Sequence, residues 1–209
     1  LNEYRATWKR GGQPLAQRLR DKNHSWTDLR MLIPGILDQG IMGYSFTCPD
    51  LIGGGEFMSF RDAKTLDEEL VVRAAQLHAL MPMMQFSAAP WRILNAQNLE
   101  IARQAALLHE KMGPEILSLA RSAAGSGEPI VRSLEYQFPN RGYGAITDQF
   151  LLGEDIMVAP VLEKGAIRRT VVTPPGRWRG DDGQVLTGPA TQSIDAPLTR
   201  LPWWRRVRS

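Results

Sequence analysis

The stretch Trp26 to Gly55, WTDLRMLIPGILDQGIMGYSFTCPDLIGGG, decides the fold. Its first half carries apolar residues at Leu29, Leu32, Ile33, Ile36 and Leu37, the spacing of one buried helix face, and the pattern closes at Gly40. Ser25 stands just before it as an N-cap, with Asp28 three residues on, where a capping-box acid belongs. The second half changes period. Ile41 to Phe46 is a short apolar run, predicted as a strand, and it breaks at Pro49 before a polar, glycine-rich turn. Helix, strand and a polar loop at the strand end are the repeating parts of a parallel α/β architecture.

Working outward, the same alternation continues on the C-terminal side. Leu66 to Leu80 is predicted helical and opens with Asp67, Glu68 and Glu69, acids suited to a helix N-terminus. Pro82 to Phe86 is another short apolar run. Asn95 to Ala124 is a long helical stretch, with a bend expected near Gly113-Pro114. After Gly125 the texture changes. Ile130 to Tyr136, Ile156 to Val161, Arg169 to Thr173 and Gln192 to Ile194 read as strands separated by Gly/Pro turns. The expected organisation is therefore an α/β unit over 1–125 and a small antiparallel β unit over 126–209, divided near Gly125-Ser126-Gly127.

Bulk composition narrows the function classes. The chain has 209 residues, 43% hydrophobic and 22% charged, which is ordinary for a globular protein. The formal charge is only +3 despite a pI of about 9.2, and no nucleic-acid-binding module accompanies the arginines, so no nucleic-acid partner is expected. The single cysteine, Cys48, excludes an internal disulfide framework and a Cys-based zinc site. No apolar run is long enough to span a membrane, and no signal peptide is visible. The chain opens on Leu1 in mid-pattern, as a fragment of a longer protein would, and its compartment stays open.

In a parallel barrel the catalytic groups sit where strands end and loops begin. Three such points fall before Gly125: Arg18 to Trp26, Phe46 to Gly55, and Met84 to Trp91. Each follows an apolar run. Together they hold carboxylates, arginine, glycines and tryptophans, the side chains suited to sugar hydroxyls and ring faces.

The stretch from Trp26 to Gly55 resembles glycoside hydrolase family 31. Phe138-Pro139, Asp148 to Gly153, Ile156 to Val161 and Pro174 to Trp178 follow in that family's order, so the likeness runs along essentially the whole chain. The subgroup it approaches contains bacterial α-glycosidases with Asp-Lys or Asp-Arg where most members have Gly-Asp-Asn. The resemblance implies the C-terminal part of a (β/α)8 barrel followed by a small antiparallel β-sandwich. It implies a retaining α-glycosidase, in which one carboxylate attacks the anomeric carbon while a second protonates the leaving oxygen and then activates water.

By motif position Asp21 is the family's acid/base, and Asp50 matches the sugar-lining aspartate of its Asp-Ile-Gly-Gly-type motif. Arg5 stands at the spacing of a hydroxyl-binding arginine. The family's nucleophile lies in an earlier Trp-x-Asp segment that this sequence does not contain. The implied ligand is therefore an α-linked glycoside or oligosaccharide, with no cofactor and no metal. The chain alone is expected to be inactive without the N-terminal part of its parent. A non-catalytic carbohydrate-binding or regulatory relative is the competing reading. One departure stands out: the family's Arg-Asn-His after the last barrel strand is replaced by Gln85-Phe86-Ser87, so Ser87 becomes the substitute hydrogen-bonding group.

Plainer roles compete with each assignment. Asp21 is also a loop carboxylate within reach of Arg18, Arg20 or Lys22, Asp50 a turn residue after Pro49, and Arg5 a surface charge. Trp26, assigned to substrate, and Trp91 are equally walls of the core. Gly53-Gly54-Gly55 is not a phosphate loop, because no Lys-Ser/Thr follows. His24, His78 and His109 are too scattered for a metal triad. Cys48 reads as a buried apolar filler.

Overall fold

The computed structural model describes residues 17–54, 60 and 66–208. Strand β1 (Gln17–Arg18) and strand β2 (Thr47–Cys48) lie parallel, with Gln17 opposite Thr47 and Arg18 opposite Cys48. Helices α1 (Trp26–Arg30) and α2 (Leu32–Ile41) connect them. A third parallel point follows: Ile52 bridges Phe86, and helix α3 (Glu68–Ala79) precedes the returning segment. The short α4 (Pro90–Ile93) and the long α5 (Ala96–Ser126) complete this part.

The expected single helix after Ser25 is two helices, and Pro34 supplies the reason. A helical Pro34 has no N–H to donate to the Arg30 carbonyl, and its ring would press against that carbonyl. The chain breaks at Met31, and Pro34 falls in the first turn of α2, where its missing N–H has no partner to lose. The N-cap expectation holds, since Ser25 Oγ accepts from Asp28 N at 3.1 Å. The Asp28 carboxylate, however, turns to the Asn23 N–H at 2.7 Å. Leu29, Leu32, Ile33, Ile36 and Leu37 are buried as the periodicity requires.

Gly40 does not end the helix. A Cβ there would stand 3.0 Å from Pro129 Cβ and 3.3 Å from Val131 O, so this glycine permits close packing against the following β region. The turn comes at Gly43, with φ +90°. The helix consumes Ile41, and the strand expected over Ile41 to Phe46 begins only at Thr47. Helix α5 runs through Pro114 as one element and closes on Gly127 in the left-handed conformation.

Six antiparallel strands follow, in the spatial order β3-β4-β5-β8-β6-β7. They are β3 (Val131–Arg132), β4 (Phe150–Leu152), β5 (Ile156–Val158), β6 (Arg168–Gly180), β7 (Val185–Asp195) and β8 (Trp203–Arg206). The strand expected over Ile130 to Tyr136 shrinks to two residues, because Ser133 caps the short helix α6 (Leu134–Gln137). Strand β6 is longer than expected. It carries Pro174-Pro175 inside a register shift between Thr173 and Gly176, where two missing N–H groups do least harm to the ladder.

Strands β4 and β5 are buried on both faces. Phe150, Leu152, Ile156 and Val158 join the core formed by α1, α2, α3 and α5. Their neighbours Leu151 and Met157 face the opposite way, into a second core with Trp178 and Trp204. A polar clamp adds to this junction. Arg73 on α3 is buried and donates to the carbonyls of Ala166, Ala196, Pro197 and Arg200 at 3.0–3.3 Å, and to Gln76 Oε1 at 3.0 Å. Gln76 Nε2 donates to Leu198 O at 2.6 Å. Burial pushes the Arg73 guanidinium down to about 10, so it stays charged near neutral pH.

Candidate active site

The parallel pairing of β1 and β2 sets two strand ends side by side. Leu19 N donates to Cys48 O at 3.0 Å, and beyond that bond both chains leave the sheet as loops. Arg18, the last residue of β1, places Nη1 2.5 Å from Asp21 Oδ1. The same Nη1 pairs with Asp50 Oδ1. The other Asp50 oxygen accepts from Lys22 N at 3.1 Å and lies 3.3 Å from Lys22 Nζ, which also donates to Pro49 O.

The two carboxylates differ sharply in exposure. Asp50 is fully buried, while the Asp21 side chain is 64% exposed. A buried carboxylate is costly unless paired and hydrogen-bonded, and Arg18 and Lys22 meet that condition. Asp50 is therefore the anchor and Asp21 the group presented to solvent. Burial alone would lower the Arg18 guanidinium, but its bonds to Asp21 and Asp50 outweigh this and hold it above its ordinary value. For Lys22 burial wins over the pull of Asp50, and the ammonium is lowered to about 8. Burial likewise raises the Cys48 thiol, whose Sγ lies 3.4 Å from Asp50 O. Cys48 is a packed thiol, as its sequence context led us to expect.

Backbone geometry locks the second loop against the first. Asp50 itself has φ +85°, a left-handed conformation that non-glycine residues seldom adopt and that is tolerated when surroundings over-determine it. Gly54 has φ +86°, and a Cβ there would lie 2.7 Å from Lys22 O. His24 Nδ1 is 2.9 Å from Gly53 O, which ties the Asp21 loop to the glycine turn. Ser87 Oγ donates to Gly54 O, bringing the third strand end to the same turn.

Asp21, Asp50 and Ser87 thus converge on one loop cluster. Trp26 sits differently: its indole N–H donates to Asp67 Oδ2 at 3.0 Å, and its ring packs against the main core. Asp67 in turn receives Lys164 Nζ at 2.8 Å. Arg5 and Gly55 lie outside the described residues. Trp91, at 72% exposure, is the most open large apolar side chain among the described residues of this region. Sequence reading considered Arg18 and Lys22 only as neighbours of Asp21; the signal it lacked was that both reach Asp50 across the sheet. Among the described residues, no group of three or more His, Cys, Asp or Glu could hold a metal ion. No helix among them is long and apolar enough to cross a membrane.

Comparison with known proteins identifies the family and the fold. The family model described as the glycosyl hydrolases family 31 TIM-barrel domain matches residues 7–119. The model described as the glycosyl hydrolase family 31 C-terminal domain matches residues 127–208. The myogenesis-regulating glycosidase of Mus musculus is 37% identical over 190 residues, covering 87% of this chain and 26% of that protein. A SITS-binding protein of Tetronarce californica is 32% identical over 182 residues, covering 84% of this chain and 26% of that protein. A family 31 α-xylosidase from a soil metagenome, solved with xylose, superposes with a TM-score of 0.82 at 27% identity, over 90% of this chain and 32% of that one. The fold is that of a family 31 TIM-barrel portion followed by the family's C-terminal domain. The chain belongs to glycoside hydrolase family 31, and it spans about a quarter of the length of the curated relatives it matches.

Proposed function

We propose that this chain is the acid/base half of a retaining α-glycoside hydrolase, α-glucosidase-like or α-galactosidase-like in linkage chemistry. The observation that carries this reading is the Arg18 bridge, which fixes an exposed Asp21 to a buried Asp50 at adjacent parallel strand ends. A nucleophile carboxylate, supplied by a preceding part of a longer parent polypeptide, attacks the anomeric carbon. Asp21 gives its proton to the departing glycosidic oxygen, and a covalent glycosyl-enzyme forms. Asp21 then takes a proton from water as the water attacks that intermediate. Retention requires the two carboxyl groups to stand about 5–5.5 Å apart.

Within this reading Asp50 positions Arg18 and Lys22 beneath the sugar. Arg5 binds a sugar hydroxyl, Ser87 stands in for the family's histidine, and Trp26 walls the loop by its bond to Asp67. We place the division between barrel part and β domain near Gly125 to Gly127. The isolated chain, lacking the nucleophile segment, has no hydrolase activity and depends on the N-terminal part of its parent.

Azide rescue tests the assignment. In the full-length parent, Asp21→Ala should cripple turnover of aryl α-glycosides with poor leaving groups. It should leave glycosylation by a dinitrophenyl α-glycoside largely intact, and added azide should restore turnover and yield an α-glycosyl azide. Loss of activity toward both substrates, with no azide product, would refute the role. The second reading, a carbohydrate-binding relative without catalysis, draws on Gln85-Phe86-Ser87, which stands where the family's histidine motif belongs. It predicts sugar binding by the parent with no turnover of even the dinitrophenyl glycoside.

A further inference from the structure

Beneath the Asp21–Ser25 loop lies a cavity of about 20 Å³, lined by Lys22, His24, Ser25, Gly53, Gly54 and His78 among others. His78 comes from α3 and is fully buried. Among the described residues neither of its ring nitrogens has a hydrogen-bond partner, and the same is true of His24 Nε2. Buried polar groups are nearly always paired, with protein or with ordered water, so orphaned ring nitrogens on two histidines of one cavity call for a partner that reaches His24 Nε2 and one nitrogen of His78.

Size and chemistry select that partner. A cavity of this volume takes one water molecule, since about 10–15 Å³ of accessible volume suffices. Leu29, Leu32, Leu51, Leu70 and Ala74 line part of it, and the two histidines and Lys22 supply polar groups. His24 Nδ1 faces the Gly53 carbonyl, which only accepts, so Nδ1 carries the proton. In the neutral ring this leaves Nε2 as a lone pair that needs a donor. Burial, aided by Lys22 and His109, holds His78 well below the ordinary histidine range, so its ring offers one N–H and one lone pair. Water, with two donors and two acceptors, can donate to His24 Nε2 and at the same time bond one nitrogen of His78.

We infer that this cavity binds one ordered water that links His78 on α3 to His24 Nε2, making His78 a positioning residue for the Asp21 loop. The loop is then held from two sides: from the sheet by Arg18 and from the helix layer by the His24–water–His78 link. The water site stands on the cavity and the orphaned nitrogens alone. Its catalytic consequence rests on the reading of Asp21 as acid/base.

The test is a high-resolution crystal structure of the parent, with kinetics of His78→Phe and His78→Gln. Density for a water within about 2.6–3.2 Å of His24 Nε2 and of one His78 nitrogen is the expected result. His78→Phe should lose that water and lower kcat about tenfold or more with a smaller change in KM, as expected for a catalytic group displaced within its site. His78→Gln, which keeps a donor and an acceptor, should recover most of the rate. If His78→Phe does not fold, the density and the Gln variant decide. A dry cavity, or histidine nitrogens bonded to protein atoms, overturns the water site. Water present with His78→Phe at full rate overturns the positioning role. Failure of azide rescue at Asp21 with the water in place removes only the catalytic reading.

Discussion

Asp21 and Asp50 are joined through a single atom, Nη1 of Arg18. The exposed carboxylate therefore inherits its position from the buried one. Any change at Arg18 must act on both ends of the link.

Arg18→Met tests this coupling in the parent. It removes the cation that orients Asp21 and leaves Asp50 with Lys22 alone. Breaking a buried pair by deleting one partner costs roughly 3–5 kcal/mol, and the remaining Lys22 places this case near the lower end. Turnover should fall by about 10²-fold, the scale of a mispositioned acid/base. A urea titration and steady-state kinetics read the two effects separately. A variant as stable and as active as wild type would show that the bridge has no role.

Lys22 gives a pH signature. Its folded value is lowered to about 8, below that of an ordinary lysine. Between those two values the unfolded chain binds more protons than the folded one, so stability rises with pH across that window. Below about 8 the burial penalty is fully present. The gain from about pH 7.5 to about pH 9.5 should be on the order of 1–3 kcal/mol in urea unfolding. Lys22→Met should lose this slope. An unchanged slope in the variant would assign the effect to another group.

Gly54→Ala probes the contact between the two loops. A left-handed conformation for alanine costs about 1–2 kcal/mol. The added Cβ must also displace the Lys22 carbonyl, which is backbone and cannot swing aside. The expected loss is about 2 kcal/mol or more, together with reduced turnover because the displaced atom adjoins Asp21. Thermal unfolding paired with kinetics checks both. Gly125→Ala, in the last turns of α5 and clear of Pro114, where an added Cβ meets no atom of another segment within 4 Å, is the control and should be neutral or better.

Arg73→Met removes the clamp between α3 and the β domain. Four backbone carbonyls lose a donor, and each orphaned buried group costs about 1–3 kcal/mol. Partial relaxation should bring the total to roughly 3–5 kcal/mol. Arg73→Lys should recover little, because an ammonium cannot reproduce the planar fork. Unfolding midpoints of both variants decide; near-wild-type stability of the Arg73→Met variant would show that packing alone holds the junction.

The sequence was most legible where local chemistry governs. Ser25 caps α1 through its side-chain oxygen where the apolar periodicity begins, as expected. Asp67 and Asn95, which stand at the start of the next two helical stretches, cap α3 and α5 in the same way, and α5 ends on Gly127, beyond the expected Ala124. It was least legible where distant partners decide. Phe150 to Leu152 has no polar–apolar alternation because both faces of β4 are buried, so it carries no strand period to read. Strand β6 hides behind its two prolines. At the site the family motif led to Asp21 and Asp50, but the atom connecting them belongs to a residue read only as a nearby charge. The pairing of Arg18 opposite Cys48 in the parallel register brings it there, and no local pattern encodes that register.

The partners of Arg73 in the β region lie 93 to 127 residues further along the chain. On the ribosome, α3 emerges long before them. Through that interval its apolar face has α1, α2 and then α5 to pack against, but the Arg73 guanidinium lacks all four of these carbonyls. Helix α3 thus waits on the arrival of residues 196–200, and translation speed across the intervening β strands becomes a variable in whether the nascent barrel part closes or is captured by a chaperone.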